Sequence, residues 1–305
     1  MKCNLCPRAC NVDRNVNTGF CGMTNDIYAA RAALHMWEEP CISGEHGSGA
    51  VFFSGCTLRC IFCQNAEIAA AHVGKKITVE RLSDIFLELQ DKCANNINLV
   101  TATHFVPQVA EALVKAKNKG LVIPVVYNSS AYENVSTLNM LDGLVDVYLP
   151  DMKYIDSRLS AEYSKAPDYA DVAKAAIHEM VRQTRKPEFF IEDDELVKSG
   201  RVEAGIMKKG VIVRHLVLPG TTKDSKAVIK YLIDTYGDDI YISIMSQYTP
   251  FERLKKHPLL SRKVTRKEYD SVVDYAIECG INNGFIQEGD VAEESFIPEF
   301  DYEGI

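Results

Sequence analysis

The stretch VFFSGCTLRCIFCQNA, residues 51–66, places three cysteines on one short segment directly after an apolar run. Cys56, Cys60 and Cys63 stand four and three residues apart, and the run before them has the composition of a buried strand. Three thiolates do not complete a four-coordinate site. They can hold zinc with a further ligand from elsewhere, or a cubane iron–sulfur cluster with one open iron. The segment therefore predicts a metal centre at the end of a strand.

Composition and charge restrict the classes of partner. The chain has 305 residues, of which 47% are hydrophobic and 25% are charged, which suits one large domain or one domain with a small appendage. Its 34 Lys and Arg residues against 42 Asp and Glu residues give a formal net charge of −8. An acidic chain has no general electrostatic affinity for nucleic acid or anionic membranes. We expect neither as a partner.

The expected compartment of the chain decides how its cysteines are interpreted. The N-terminus lacks the apolar core of a signal peptide, and no apolar run is long enough to cross a bilayer, so we expect a cytoplasmic protein. In that compartment, ten cysteines are more consistent with metal or redox use than with disulfides. We expect Cys93 and Cys279 to lie in the core. Cys41 is expected to be a buried free thiol, with service as a replacement ligand as the alternative.

Short β-rich runs alternate with segments of helical period from residue 50 onward. The helical segments are an apolar stripe at 82–89, a helix that begins near Pro107, a stripe at 228–236 and a capping-box pattern at 265–268. The runs that predict strands are Val51-Phe52-Phe53, 97–100, 122–127, 145–149, 211–218 and 240–245, with Phe285-Ile286 as a seventh. This alternation predicts an α/β fold, a partial (β/α)6 barrel of parallel strands covered by helices.

The chain is predicted to have two parts. Residues 1–46 form a Cys-rich metal-binding segment with little periodicity, which we expect a metal to order. Residues 47–305 form the partial-barrel domain. An insertion at about 155–210 breaks its rhythm. The insertion contains a helical stripe at 172–180, and its charged stretch EDDELVKSGRVEAG, residues 192–205, is expected to be an exposed hairpin or loop.

Polar side chains follow most of the predicted strands. The carboxyl ends of parallel strands converge on one face, where catalytic and binding groups collect. Arg214 and His215 alternate along a strand and so face opposite sides. The candidates at the strand ends are Thr101, Thr103 and His104; Asn128, Ser129 and Ser130; Asp151 and Lys153; Arg214 and His215; and Ser246, Gln247 and Tyr248.

The spacing C-x3-C-x2-C after a first strand, with aromatic Phe62 before the last cysteine, resembles the signature of the radical S-adenosylmethionine superfamily. Its closest form resembles the pyruvate formate-lyase activating enzyme group, in the branch with an N-terminal C-x2-C-P-R-x2-C element. That element is matched by CNLCPRAC at 3–10 and by GFCG at 19–22. The resemblance implies a four-iron cluster that binds S-adenosylmethionine, cleaves it with one electron to a 5'-deoxyadenosyl radical, and abstracts a hydrogen atom from a substrate.

The resemblance also implies roles for individual residues. Cys56, Cys60 and Cys63 would be the catalytic cluster ligands, and Phe62 would lie against the adenine. Lys153 in LPDMK would contact the methionyl carboxylate. The further cofactor-binding candidates are Asp151, for a ribose or a monovalent cation, Arg214, for the cofactor carboxylate, and Thr101, Thr103, Asn128, Ser129 and Gln247.

One departure from the family pattern concerns the second strand. The superfamily carries a Gly-Gly-Glu element there, which accepts a hydrogen bond from the cofactor's amino group, whereas this chain has Thr101-Ala102-Thr103-His104. Hydroxyl or backbone oxygens would have to replace that acceptor.

The N-terminal thiols predict a second metal. Cys3, Cys6, Cys10 and Cys21 are enough for a closed zinc site or for a second iron–sulfur cluster. Their spacings fit neither a zinc ribbon nor a ferredoxin run closely, so both metals stay open. A cluster would pass electrons to the catalytic site, whereas zinc would only fold the segment.

Three functions compete. The leading hypothesis is an activase that abstracts a hydrogen atom from a glycine of a glycyl radical enzyme, with an electron donor such as flavodoxin or ferredoxin as a second partner. A second hypothesis keeps the radical chemistry but modifies another peptide or a metabolite. A third is a non-catalytic iron–sulfur or zinc protein that acts in electron transfer or assembly.

Overall fold

The computed structural model describes residues 2–287 and 298–305. Residues 288–297 of the predicted barrel domain lie outside the described part. Helices and strands alternate along most of the chain. The strands are β1 (Ile27–His35), β2 (Ser48–Phe53), β3 (Lys75–Ile77), β4 (Ile97–Val100), β5 (Val125–Ser129), β6 (Val147–Pro150), β7 (Glu188–Phe189), β8 (Met207–Leu216), β9 (Tyr241–Met245) and β10 (Gly284–Ile286).

The helices lie mainly between the strands. They are α1 (Pro40–Ser43), α2 (Ala66–Ala69), α3 (Val79–Asp91), α4 (Val106–Asn118), α5 (Val135–Leu138), α6 (Ser157–Ser164), α7 (Tyr169–Thr184), α8 (Glu195–Lys198), α9 (Thr222–Tyr236) and α10 (Arg266–Glu278). Short 3₁₀ turns occur at Thr103–Phe105, Asn139–Leu141, Gly237–Asp239 and Glu252–Leu254. No helix in the described ranges has both the length and the apolar character that a membrane span requires.

The strands form one mixed sheet with an open edge at each end. Their order is β10-β9-β8-β6-β5-β4-β2-β1-β3, with β7 paired to β8. Strands β2, β4, β5, β6, β8, β9 and β10 run parallel to one another. Over residues 2–287 and 298–305 the sheet does not close, and the predicted α/β partial barrel is confirmed. Each predicted strand overlaps one of these parallel strands, and the seventh candidate lies in β10.

The central strands are apolar along most of their length because helices cover the sheet. Every residue of β2, β4 and β6 is buried, as expected for parallel strands that have no solvated face. The covering helices begin where the sequence provides caps. Thr78 accepts a hydrogen bond from the backbone N–H of Arg81 at the start of α3, and Thr265 forms a capping box with Glu268 at the start of α10.

Three strands of the sheet were not predicted: β1, β3 and the two-residue β7. β1 lies inside the segment predicted as the Cys-rich N-terminal part, and it pairs antiparallel with both β2 and β3. Its sequence, IYAARAALH, contains four alanines, a residue that is depleted in strands, so the propensity signal is weak. β3 has only three residues. The boundary between the two predicted parts stays a prediction, but β1 joins the N-terminal part to the barrel sheet.

Other expectations for single elements had mixed outcomes. The charged stretch at 192–205 contains the short helix α8 rather than a hairpin or loop alone. Cys93, expected in the core, is exposed, because it follows the end of α3 in a left-handed conformation with φ of 62°. Cys279 is only half-buried. Cys41 is buried beside Ile42, as expected.

Candidate functional site

The cysteine loop leaves the end of β2 and turns at Gly55, which has φ of 86°. A Cβ atom there would lie 2.5 Å from Cγ of Met23 and 2.7 Å from the carbonyl oxygen of Cys21. Glycine is therefore required both by the backbone conformation and by the close approach of the N-terminal segment. The loop is the place where the two cysteine-containing parts of the chain meet.

Backbone contacts fix the remainder of the loop. The N–H of Ile61 donates to the carbonyl of Tyr163 at 2.9 Å. From the other side, the Arg253 guanidinium donates to the carbonyls of Ile61 and Cys63, at 3.0 and 2.6 Å. These bonds hold the cysteine loop between the end of α6 and the segment after β9.

The three thiols of the loop open into a cavity of about 240 Å³ at the carboxyl ends of the parallel strands. Loop, strand-end and N-terminal side chains all contribute to its wall. The residues that line it are His35, Trp37, Glu38, Phe52, Cys56, Leu58, Cys60, Phe62, Cys63, Gln64, Asn65, Val100, Thr101, Asn128, Ser129, Ser130, Asp151, Lys153, Arg214, Leu216, Met245, Gln247 and Pro298. The structure thus brings together on one cavity all of the predicted cluster and cofactor residues except Thr103.

Thr103 lies elsewhere because the backbone turns at the end of β4. Thr101 faces the cavity, but Thr103 begins a 3₁₀ turn, is fully buried, and donates from Oγ1 to Oε1 of Glu133 at 2.6 Å. Burial raises the pKa of Glu133 to about 7. The expectation that Thr103 faces the cofactor site is therefore not met by its position. His104 is also buried, and its Nε2 lies 2.7 Å from the Ser54 carbonyl oxygen.

A network of charges forms one wall of the cavity, centred on Arg214. The guanidinium donates from Nε to Asp151 at 3.2 Å, from Nη1 to Glu38 at 2.9 Å and from Nη2 to Asn128 at 2.5 Å. The ammonium of Lys153 donates to the other oxygen of Asp151 at 2.6 Å. His215 faces the opposite side and contacts the carbonyl of Met152, as the strand alternation predicts.

The pKa values in this network follow from pairing rather than from burial. Burial alone would raise the pKa of Asp151, but Lys153 and Arg214 together hold it below its ordinary range. Burial would likewise lower the pKa of Lys153, yet Asp151 raises it. Both groups are therefore ionised at neutral pH, and the wall presents an ammonium beside a carboxylate.

Phe62 is buried within a group of tyrosines. Its ring makes edge contacts with Tyr154, Tyr163 and Tyr248, with ring centroids 6.3 to 6.4 Å apart. Its own exposed fraction is 6%, and the exposed part lines the cavity. Phe62 therefore contributes an apolar surface directly next to Cys63.

The segment after β1 supplies site residues that the sequence did not single out. Glu38 accepts hydrogen bonds from Arg214 and from the side-chain amides of Asn98 and Asn128, at 2.9, 3.0 and 3.3 Å. Its neighbour Glu39 is buried, and burial raises its pKa. The available signal was the pair of adjacent carboxylates in the otherwise apolar HMWEEPCI, since buried carboxylates need partners.

The N-terminal cysteines lie near one another, and the backbone of Cys21 lies beside Gly55 of the cysteine loop. Cys6 and Cys21 are buried, whereas Cys3 and Cys10 are half-buried. The pKa of Cys6 is raised to about 12, mainly by burial, with smaller contributions from Glu133 and from the nearby thiols of Cys21 and Cys10. A thiol in such a place stays protonated unless a metal cation binds it.

Arginines attach this segment to the site. Arg8 donates to the carbonyls of Thr57 and Ser164, at 2.7 and 3.0 Å, while its guanidinium lies 4.1 Å from the centre of the Phe20 ring. Arg14 donates to the carbonyl of His104 at 2.5 Å. The Cys-rich segment therefore packs directly on the cysteine loop and on the end of β4.

The cysteine loop and the N-terminal cysteines differ in the kind of metal centre that they can bind. Among the residues that the structure describes, no three or more His, Cys, Asp or Glu side chains are grouped so as to hold a single metal ion. A cubane cluster makes a different demand, because each thiolate binds a different iron atom. Cys56, Cys60 and Cys63 share one cavity, and burial raises the pKa of Cys63 to about 12, with a further contribution from the other two thiols. This set fits a cluster, whereas the metal at the N-terminal set stays a prediction.

Comparison with other proteins agrees with this arrangement. Residues 42–165 match the family described as a 4Fe-4S single cluster domain, a range that contains the whole cysteine loop. The uncharacterized protein MJ0674 of Methanocaldococcus jannaschii is 28% identical over 281 residues, which cover 90% of this chain and 74% of that protein.

Among solved structures, the fold is similar to that of SuiB from Streptococcus suis. SuiB bound to the precursor peptide SuiA superposes with a TM-score of 0.50 and 14% identity, over 77% of this chain and 46% of that one. SuiB bound to S-adenosylmethionine gives a TM-score of 0.50 and 14% identity, over 76% and 48%. The chain thus spans about half the length of the SuiB chains that it matches. The likeness to SuiB shows a shared fold, and the family match covers the part of the chain that contains the cysteine loop.

Proposed function

We propose that this protein is a radical S-adenosylmethionine enzyme whose cluster is held by Cys56, Cys60 and Cys63. The observation that carries the proposal is that these thiols open into the same cavity as the paired Lys153 and Asp151. The match to a 4Fe-4S single cluster domain over this part of the chain supports it. When bound, the cluster supplies the electron that converts S-adenosylmethionine into methionine and a 5'-deoxyadenosyl radical.

The protein's own side chains bind and orient the cofactor. The Lys153 ammonium has three N–H donors. One of them donates to Asp151, so the other two can bind a carboxylate of the cofactor. Arg214 already donates to three side chains, and these bonds fix the wall of the cavity. Its guanidinium can also bind an anion. Lys153 is therefore our first candidate for the methionyl carboxylate, and Phe62 provides the apolar surface for the adenine.

The absent Gly-Gly-Glu element needs a substitute for the cofactor's amino group. Cavity-lining oxygens are available at the ends of the neighbouring strands, on Thr101, Ser129 and Gln247. Glu38 adds a carboxylate that the sequence pattern did not suggest. We propose that this polar wall supplies the hydrogen-bond acceptors.

An exposed apolar surface beside the cavity supports a polypeptide substrate. Leu34, Met36 and Trp37 are exposed to 39%, 43% and 62%, although all three are large and apolar. His35 and Trp37 also line the cavity itself. Exposed apolar side chains beside a cavity are typical of protein interaction sites. We propose that the substrate is a glycyl radical enzyme and the chain its activase, with a flavodoxin-like or ferredoxin-like electron donor; modification of another peptide is the second candidate that this surface accommodates.

The chemistry is tested by the formation of 5'-deoxyadenosine. Anaerobically reconstituted protein, given S-adenosylmethionine and dithionite, is expected to produce it. Cys60→Ala should reduce production to the level without protein, because the cluster loses a ligand. Cys93→Ala is the matched control, since Cys93 is exposed and outside the cavity, and it should retain wild-type production. Equal production by the two variants would overturn the ligand assignment.

The substrate class needs a separate experiment. The protein is incubated with deuterated cell extract that has been divided by size, and deuterium is measured in the 5'-deoxyadenosine produced. If deuterium is transferred from the large fraction only when glycine is the labelled residue, the protein is an activase. Transfer from the large fraction with other labels indicates another polypeptide substrate, and transfer from the small fraction alone would contradict both candidates.

A further inference from the structure

One of the cluster thiols contacts a buried side-chain hydroxyl. Sγ of Cys60 lies 2.9 Å from Oγ of Ser164, which in turn lies 3.0 Å from the hydroxyl of Tyr154. Ser164 is fully buried and is the last residue of α6, in the insertion rather than in the barrel strands. For comparison, the thiol of Cys56 accepts from the backbone N–H of Leu58 at 3.4 Å, a longer contact.

The chemistry of the groups sets the direction of this chain of hydrogen bonds. A metal-bound thiolate has no proton and can only accept, so Ser164 must donate its single proton to Cys60. The oxygen of Ser164 then accepts from Tyr154, whose hydroxyl is also a donor. The result is a directed chain, Tyr154 to Ser164 to Cys60, that ends on the cluster ligand.

The position of Ser164 is fixed independently of that contact. Arg8 donates to the carbonyl of Ser164 and to that of Thr57 in the cysteine loop. The adjacent Tyr163 accepts from the N–H of Ile61. One backbone hydrogen bond and the Arg8 side chain thus join the end of α6 to the cysteine loop, which holds the Ser164 hydroxyl next to Cys60.

We propose that Ser164 is a positioning residue that raises the reduction potential of the cluster through its hydrogen bond to Cys60. Reduction adds negative charge to the cluster and its thiolates, so a donor at the sulfur stabilises the reduced state more than the oxidised one. The proposal rests on the proposed function, because it requires Cys60 to be a cluster ligand. It adds a residue outside the barrel, and outside the cysteine motif, that adjusts how readily the site accepts its electron.

The test is a potentiometric titration of the reconstituted protein, followed by electron paramagnetic resonance. For Ser164→Ala we expect the ratio of reduced to oxidised cluster at a fixed potential to fall about tenfold, which corresponds to about 59 mV for a one-electron couple. Ser160→Ala is the matched control, because Ser160 lies one turn earlier on α6, is also fully buried, and donates to the carbonyl of Ser157 instead. It should leave the potential unchanged.

Two further variants keep the test decisive if Ser164→Ala fails to fold. Ser164→Thr preserves the hydroxyl and should keep the wild-type potential, and Tyr154→Phe removes the donor to Ser164 and should lower the potential by a smaller amount. Iron–sulfur stretching bands in the Raman spectrum should shift in heavy water less for Ser164→Ala than for the wild type, because the variant keeps the donor at Cys56 but loses the donor at Cys60. Equal potentials in wild type, Ser164→Ala and Tyr154→Phe would overturn the proposal while the cluster remains. A wild type that binds no cluster would instead overturn the proposed function, and the proposal with it.

Discussion

Arg214 and Glu38 form an ion pair in the wall of the cavity, with side-chain exposures of only 13% and 9%. Two charges in such a place are tolerated because each has further hydrogen-bond partners: Asp151 and Asn128 for the guanidinium, and two asparagine amides for the carboxylate. Removing the charge of Glu38 leaves the buried guanidinium with Asp151 as its remaining carboxylate partner.

Glu38→Gln is therefore expected to lower the free energy of unfolding by about 2 kcal/mol, within the range for hydrogen bonds to charged groups. Urea unfolding at neutral pH measures the change. Glu45→Gln, at an exposed position, is the control and should shift the free energy by less than about 0.5 kcal/mol. A Glu38→Gln protein as stable as wild type would show that the pair does not stabilise the cavity wall.

His215 links stability to pH. Burial lowers its pKa to about 4, and its Nδ1 lies 2.8 Å from the carbonyl oxygen of Met152. The unfolded chain takes up this proton near pH 6.5, whereas the native protein does so only near pH 4. The contribution of the neutral His215 to the free energy of unfolding is therefore complete above pH 6.5, and it is lost as the pH falls towards 4.

For His215→Asn, we expect the loss of unfolding free energy between pH 7 and pH 5 to be about 2 kcal/mol smaller than in the wild type. Urea unfolding at the two pH values measures this difference. His178→Asn, at an exposed site on α7, should follow the wild type. If His215→Asn shows the wild-type pH dependence, the histidine is not held in its neutral form.

The sequence predicts single site residues where strand position decides their place. Lys153, Asp151 and Arg214 lie on the cavity because each comes at or near the carboxyl end of a parallel strand. Glu38 could not be found this way, since it reaches the cavity from a segment between β1 and α1. Thr103 follows a strand end as well, but the turn that begins there directs it into the core.

Among the elements, helix α10 has the clearest terminal signal. The hydroxyl of Thr265 accepts from the N–H of Glu268 at 3.3 Å, and the carboxylate of Glu268 accepts from the N–H of Thr265 at 2.9 Å and from that of Gly220 at 2.8 Å. The cap therefore also joins α10 to the segment after β8.

Thr265→Ala is expected to destabilise the protein by about 1 kcal/mol, because an N-cap side chain is lost. The midpoint of thermal unfolding should fall accordingly. Lys267→Ala, an exposed substitution in the first turn of the same helix, should leave the midpoint nearly unchanged. Equal midpoints for the two variants would mean that the end of α10 frays without affecting global stability.

Helices and strands were predicted correctly where the hydrophobic pattern of the sequence was strong. The apolar runs of the parallel strands and the amphipathic stripes of α3 and α9 gave their positions within a few residues. β1 was missed because alanine carries little strand signal, and its place in the sheet is set by pairing with β2. Local propensity cannot report such a long-range pairing.

At the scale of the whole molecule, the Cys-rich segment and the barrel form one contact surface through Arg8. That residue bonds to the cysteine loop and to the end of α6, and its guanidinium lies against Phe20 and Tyr132. The predicted division into two parts therefore describes a difference in sequence composition. In the structure, side chains of the two parts contact each other.

Arg8→Met should weaken this attachment, because the side chain keeps its length but loses its hydrogen bonds and cation–π contacts. We expect amide hydrogen exchange to increase at least tenfold in residues 2–24 and in the cysteine loop, which corresponds to about 1.4 kcal/mol of local opening free energy. Mass spectrometry of exchanged peptides measures this. Arg158→Met, at a guanidinium exposed to 88%, is the control. Unchanged exchange in both variants would count against the role of Arg8.

The segment 36–39 connects β1 to α1 and contributes Trp37 at the mouth of the cavity and Glu38 at its wall. None of its residues belongs to a strand of the parallel sheet. Exchange of this segment would change the shape and charge that a substrate meets, while the cysteine loop and the strand ends stay as they are. This scaffold therefore allows the lining of the cavity to be altered by exchanging four residues, while the cysteine loop keeps its place at the end of β2.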